Sequence, residues 1–125
     1  MTTALYPGRF QPPHLGHIVT AVRLHDDYDK IIIAVTEAKP NFIQPEKVKE
    51  ILQEVFKHFP KYEVIIIRGK EWMDNIPDGI DVVITGNDNS IKRLKKRNIK
   101  YRKIRRAEGI GYRGTDLRKL AGIKC

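Results

Sequence analysis

The sequence predicts an α/β fold, a parallel sheet with helices on its faces, and three observations predict it. Lys30 to Val35 (KIIIAV), Tyr62 to Ile67 (YEVIII) and Asp81 to Thr85 (DVVIT) are runs rich in β-branched residues rather than clean alternations, as expected of strands covered on both faces. Between such runs lie segments whose apolar residues recur at helical spacing. Strands and helices then alternate along the chain, the pattern of a parallel sheet. At 125 residues there is room for a single domain over 1–125 with one core.

Taken in order, Thr3 to Tyr6 is a short strand running into Pro7-Gly8. From Gly16 to about Leu24, the residues Ile18, Val19, Ala21, Val22 and Leu24 suit a helix packed on a sheet. Pro45 fits the first turn of a second helix. Behind it Val48, Ile51, Leu52, Val55, Phe56 and Phe59 recur at helical spacing until Pro60 ends the pattern. Asp78-Gly79 marks the turn before the third strand run. Asp88 or Asn89 is the expected cap of a basic helix reaching about Arg97. Tyr101 to Ile104 reads as a last short strand, and Thr115 or a neighbour starts a C-terminal helix containing Leu117 and Leu120. In Rossmann-like sheets of this kind ligands gather at the carboxyl ends of the strands.

Composition narrows the partner more than the fold. Hydrophobic residues at 41% and charged residues at 31% are ordinary for a globular chain. No apolar stretch approaches the roughly 20 residues of a membrane span, and no basic start followed by an apolar run suggests a leader. The sole cysteine, Cys125, has no internal disulfide partner, so the expected location is the cytoplasm. A formal charge of +9 calls for an anionic partner. No repeat or low-complexity linker divides the chain.

The segment Gly8-Arg9-Phe10-Gln11-Pro12-Pro13-His14-Leu15-Gly16-His17 leaves the first strand and enters the first helix. Gly8 allows backbone to approach a ligand closely, and the prolines stiffen the loop. His14 and His17, three apart at a helix entrance, can point the same way. Backbone N–H groups there attract phosphate, and two imidazoles add donors that follow charge developing on a leaving group. An isolated HxxH is more often a surface pair or a fragment of a metal site. Zinc is disfavoured, because only His25, His58 and Cys125 remain to complete a ligand set.

GRFQPPHLGH resembles the signature of the HxGH nucleotidyltransferase superfamily. In its GRFQPxHxGH form it is similar to the archaeal-type nicotinamide mononucleotide adenylyltransferases, whereas cytidylyltransferases more typically carry GTFDxxHxGH. Near the other end, Tyr112-Arg113-Gly114-Thr115-Asp116-Leu117-Arg118 resembles the YSGTxIR element of the same enzymes, with Arg113 where serine is usual. Thr115 can cap a helix there, and Arg118 can hold phosphate. Ile84-Thr85-Gly86-Asn87 is similar to the family's (Y/F)xGN near the adenosine, although GN after a strand is by itself a turn. Lys39 occupies the region of a basic residue before the family's PFTxxER segment, and is equally read as an exposed loop lysine. Trp72 matches a tryptophan that stacks on nicotinamide, and is equally read as packing. The resemblance runs in order from Gly8 to Arg118, with a compressed stretch between Asn87 and Gly114 and without the further helical segment the family carries after its second motif.

The resemblance implies transfer of AMP from ATP to a phosphorylated acceptor, nicotinamide mononucleotide first among candidates, with phosphopantetheine or CMP transfer as alternatives. It implies His14, His17 and Arg118 on the phosphates, with Gly8, Arg9, Phe10, Gly16, Lys39, Gly86, Asn87, Gly114 and Thr115 around the nucleotide and Trp72 on the acceptor. Magnesium would be held by substrate and water rather than by a protein ligand cluster. A reading from a different class rests on the basic run Lys92, Arg93, Lys95, Lys96, Arg97, Lys100, Arg102, Lys103, Arg105 and Arg106, which could track a nucleic-acid backbone. A solvated helix face is the commoner meaning of such a run, and only Tyr101 and Tyr112 stand near it for base stacking. Homo-oligomerisation is left open.

Overall fold

The computed structural model describes residues 1–37 and 42–104. Five strands, β1 (Thr3–Gly8), β2 (Lys30–Thr36), β3 (Tyr62–Ile67), β4 (Val82–Thr85) and β5 (Tyr101–Lys103), form one parallel sheet in the order β3-β2-β1-β4-β5. Helices α1 (Leu15–Arg23), α2 (Pro45–Phe56) and α3 (Asp88–Lys96) and a short 3-10 turn at Trp72–Asn75 fill the connections.

Sheet pleating sorts the strand residues into two cores. On one face Ala4, Tyr6, Ile31, Ile33, Val35 and Val64 pack with Ala21 and Leu24 near the end of α1 and with Val48, Leu52 and Phe56 of α2. On the other, Leu5, Ile32, Ala34, Ile67 and Val83 meet Met73 of the 3-10 turn and Leu94 of α3. Each buried Val, Leu, Ile, Phe or Met among them contributes about 1.5–3 kcal/mol by leaving water. Ile31, Ile33 and Val35 serve one core while Ile32 and Ala34 serve the other, which is why β2 reads as an unbroken apolar run.

Carboxylates pin the amino ends of the strands. The Thr3 N–H donates to Asp81 Oδ2 at 2.7 Å, and the Thr2 N–H donates to Asp29 Oδ2 at 2.8 Å. The Thr2 backbone and hydroxyl donors hold the Asp29 carboxyl below its ordinary value.

Three sequence expectations need correction. The second helix ends at Phe56, not near Phe59, because the chain turns there to enter β3 through the Phe59 N–H to Phe56 carbonyl bond. Its buried stripe is the narrow set Pro45, Val48, Leu52 and Phe56, so Ile51, Val55 and Phe59 are exposed. The cap of α3 is Asn87 rather than Asp88 or Asn89, with Oδ1 accepting from Asn89 N at 2.9 Å and Ser90 N at 3.2 Å. The expected C-terminal helix lies outside the described residues.

At the start of β3 the Tyr62 hydroxyl donates to the Ala21 carbonyl at 2.8 Å. Burial, with the nearby Asp26 charge, pushes its pKa up from 10.0 to about 12. The unfolded chain gives up this proton first, so stability should fall as pH rises from 10.0 to about 12. Denaturant titrations should show wild type losing stability relative to Tyr62→Phe across that window. A constant difference between the two would contradict it.

Candidate functional site

In the order β3-β2-β1-β4-β5 the crossovers diverge on either side of β1. The crevice between the carboxyl ends of β1 and β4 is therefore the switch point where ligands of such sheets bind. Leu5 is in register with Val83, and three residues further along each strand lie Gly8 and Gly86. The loop from Gly8 leads straight into α1, so the first motif stands at that crevice by topology alone.

Each turn of this loop has a local cause. Phe10 folds inward to 2% exposure with φ 54°, a left-handed conformation rare for a bulky residue. Its ring sits under Gly8, where an added Cβ would stand 2.8 Å from the ring tip, so β1 ends in a glycine. The same ring meets Tyr6 edge-on at 5.7 Å and His17 edge-on at 4.6 Å. Phe10 is thus the floor beneath His17, and its ring faces the core. Arg9 beside it is half-buried.

His14 and His17 together cap α1. The His14 Nδ1 accepts from the Gly16 N–H at 3.0 Å, and the His17 Nδ1 accepts from the His14 N–H at 3.2 Å. This is a reciprocal capping box with two imidazoles in place of the usual Ser/Thr and Glu/Gln. The rings stack at 3.7 Å and are both buried. An Nδ1 that accepts cannot carry the proton, so each neutral ring carries it on Nε2. Two stacked imidazoles, their planes 26° apart, thereby each carry an N–H donor at the positive end of a helix, where an anion is stabilised. Gly16, buried in the first turn, completes it, its carbonyl accepting from the Thr20 hydroxyl at 2.7 Å.

The other predicted residues are placed less uniformly. Gly86 and Asn87 stand exposed at the end of β4, and the Asn87 Oδ1 is engaged in capping α3. A Cβ on Gly86 would lie 2.7 Å from the Ile104 carbonyl oxygen, so close backbone passage already explains that glycine. Trp72 is partly buried against the α3-side core, on the opposite face of the sheet from α1. Lys39, Gly114, Thr115 and Arg118 lie outside the described residues.

Two features had no sequence signal. The Gln11 amide pairs with the backbone of Ile43, and Arg68 bridges Glu37, just past β2, to Glu46 in the first turn of α2. The Arg68 hydrogen bond holds the Glu46 carboxyl below its ordinary value, and Glu46 in turn raises the arginine. Part of the basic run is paired at the surface of the fold. Arg93 pairs with Glu71, Arg97 with Asp74 at 2.5 Å, Arg102 with Asp27 at 2.8 Å and Lys103 with Asp88 at 3.0 Å, while Lys95 lies over the Tyr101 ring. Among the described residues no three His, Cys, Asp or Glu side chains are grouped to hold a metal ion, and no helix is long and apolar enough to cross a membrane.

Residues 5–119 match the family model described as cytidylyltransferase-like. The chain belongs to that family. A nicotinamide-nucleotide adenylyltransferase of Pyrobaculum arsenaticum is 30% identical over 103 residues, covering 70% of this chain and 58% of the relative. A phosphopantetheine adenylyltransferase of Dehalococcoides mccartyi is 40% identical over 63 residues, covering 49% of this chain and 40% of the relative. The fold matches that of a bifunctional NMN adenylyltransferase/ADP ribose pyrophosphatase from Francisella tularensis, with TM-score 0.75 and 14% identity over 98% of this chain and 43% of that one. In each case the chain spans less than two thirds of the relative's length.

Proposed function

We propose that this cytidylyltransferase-like chain carries an adenylyltransferase site that moves AMP from ATP to a phosphorylated acceptor, with nicotinamide mononucleotide the first candidate. The observation that carries the reading is the pair of stacked histidines capping α1, whose Nδ1 atoms both accept from backbone and whose neutral rings therefore carry the proton on Nε2.

In the proposed reaction an acceptor phosphate oxygen attacks the α-phosphorus of ATP, a P–O bond forms, and the bond to the bridging oxygen breaks to release pyrophosphate. The acceptor oxygen is already ionised at neutral pH, so the protein need not remove a proton. The work left to it is positioning and stabilisation of charge on the phosphates. His14 and His17 would serve the phosphates through Nε2–H, with the N–H groups of α1 behind them. Arg9 and Lys39 are assigned to support, Arg118 with Gly114 and Thr115 to the triphosphate, Gly86 and Asn87 to the nucleoside, and Trp72 to the acceptor. Magnesium enters with the triphosphate. It would bridge phosphate oxygens and be held largely by substrate and water.

The phosphopantetheine adenylyltransferase relative at 40% identity favours a second acceptor with unchanged chemistry. The ion pairs that Arg93, Arg97, Arg102 and Lys103 make at the surface of the fold reduce the charge that run offers to a nucleic-acid backbone. The test is pyrophosphate release from ATP or CTP with magnesium, paired with nicotinamide mononucleotide, phosphopantetheine or no acceptor. Release requiring ATP and nicotinamide mononucleotide is expected. Release with another pair replaces the substrate, and silence with every pair removes the catalytic reading.

A further inference from the structure

We infer that Gln11 is a positioning residue: its side-chain amide fixes the loop between β1 and α1 against Ile43, and so sets where His14 and His17 stand. The role rests on the phosphate-site reading of that histidine pair. A glutamine in the middle of the first motif invites assignment as a ligand contact, but its geometry points elsewhere. It is 4% exposed. Its Nε2 donates to the Ile43 carbonyl at 2.8 Å, and its Oε1 accepts from the Ile43 N–H at 2.7 Å. One N–H and one lone pair of the amide thus meet the backbone of a single residue, as in one rung of a strand ladder.

Few side chains can do this. Glutamate keeps the acceptor and loses the donor, asparagine is one methylene short, and methionine has the length with neither group. Ile43 lies two residues before α2, 32 positions from Gln11. The amide therefore ties the first crossover of the sheet to the second, at the carboxyl end where both helices begin. Immediately before Gln11, Phe10 sits in a left-handed conformation that persists only where its surroundings hold it. The Phe10 ring under Gly8 fixes the floor of the loop, and the Gln11–Ile43 pair fixes its wall. Three residues later the chain delivers His14 to the cap of α1. A loop released from Ile43 lets the two imidazoles drift together, and reacting groups displaced by a fraction of an ångström lose rate steeply.

The experiment compares Gln11→Met and Gln11→Glu with wild type in the full chain, by steady-state pyrophosphate release, thermal melting and the side-chain ¹⁵N signals of the histidines. Gln11→Met should lower kcat on the order of tenfold with KM little changed, Gln11→Glu at least as much because a carboxylate oxygen would face the Ile43 carbonyl, and both should melt somewhat below wild type while remaining folded. In both, the His14 and His17 signals should move while those of His25 and His58 stay. A raised KM at unchanged kcat would make Gln11 a substrate contact and overturn the proposal, as would unchanged kcat with unmoved signals. If Gln11→Met fails to fold, the same readouts on Gln11→Glu decide. If wild type releases no pyrophosphate with any substrate pair, the catalytic reading fails on its own, and the imidazole signals still settle whether Gln11 holds the pair.

Discussion

Replacing His17 by glutamine is expected to slow pyrophosphate release on the order of 10²-fold or more, the size of effect seen when one preorganised charge-stabilising donor is removed. The melting temperature should stay near that of wild type. The choice of glutamine matters, because His17 has two separable duties. Its Nδ1 accepts from the His14 N–H as the third residue of a capping box, a position that glutamine fills in ordinary helices. Its Nε2–H is the donor assigned to phosphate, and glutamine does not reproduce it at the same place. Alanine would confound the two by removing a cap worth about 1 kcal/mol together with the ring. His14→Asn is the matching change on the other ring, since asparagine is among the best N-caps. Initial rates at saturating substrates, read beside a thermal melt, check both variants. A normal rate in His17→Gln would remove the ring from the reaction.

Gly86→Ala is expected to destabilise the protein by about 1–3 kcal/mol, the usual penalty for forcing a group into occupied space, in the absence of any nucleotide. The added methyl would meet the Ile104 carbonyl oxygen at 2.7 Å. That oxygen is backbone rather than the far end of a side chain, and its residue is tied to β4 by the Ile104 N–H, which donates to the Thr85 carbonyl at 3.1 Å. The collision therefore falls on the seam between β4 and β5. A thermal melt of the ligand-free protein reads the effect. A melt unchanged by the methyl would return Gly86 to a purely ligand-facing role.

The fold was legible where burial writes itself into consecutive residues. KIIIAV and YEVIII became β2 and β3 because both faces of each are covered, and the helical run from Gly16 became α1. The misses share one feature: the residue types allow more than one outcome, and the path of the folded chain chooses among them. Asn87, Asp88 and Asn89 can each cap a helix, and only the exit geometry of β4 selects the first. The 3-10 turn at Trp72–Asn75 is too short for periodicity to reveal, and it is secured by Glu71 to Arg93 and Asp74 to Arg97, pairings between segments some twenty residues apart. At the site, the histidine spacing and its place between strand and helix were readable, but not that the two rings cap the helix themselves. Histidine is not among the residues that announce a cap. Gln11 stood in plain sight within the motif, yet its bond to Ile43 exists only once two crossovers lie side by side.

The bonds from Thr3 to Asp81 and from Thr2 to Asp29 gather the amino ends of the strands at one end of the sheet, and Met1 projects there at 92% exposure. The histidine pair lies at the other end, beyond a strand of six residues, so roughly 20 Å separates the two. A surface, bead or fluorescent carrier coupled at residue 1 would leave the proposed nucleotide crevice facing open solution. Immobilised binding and turnover measurements should then report the site itself rather than the attachment.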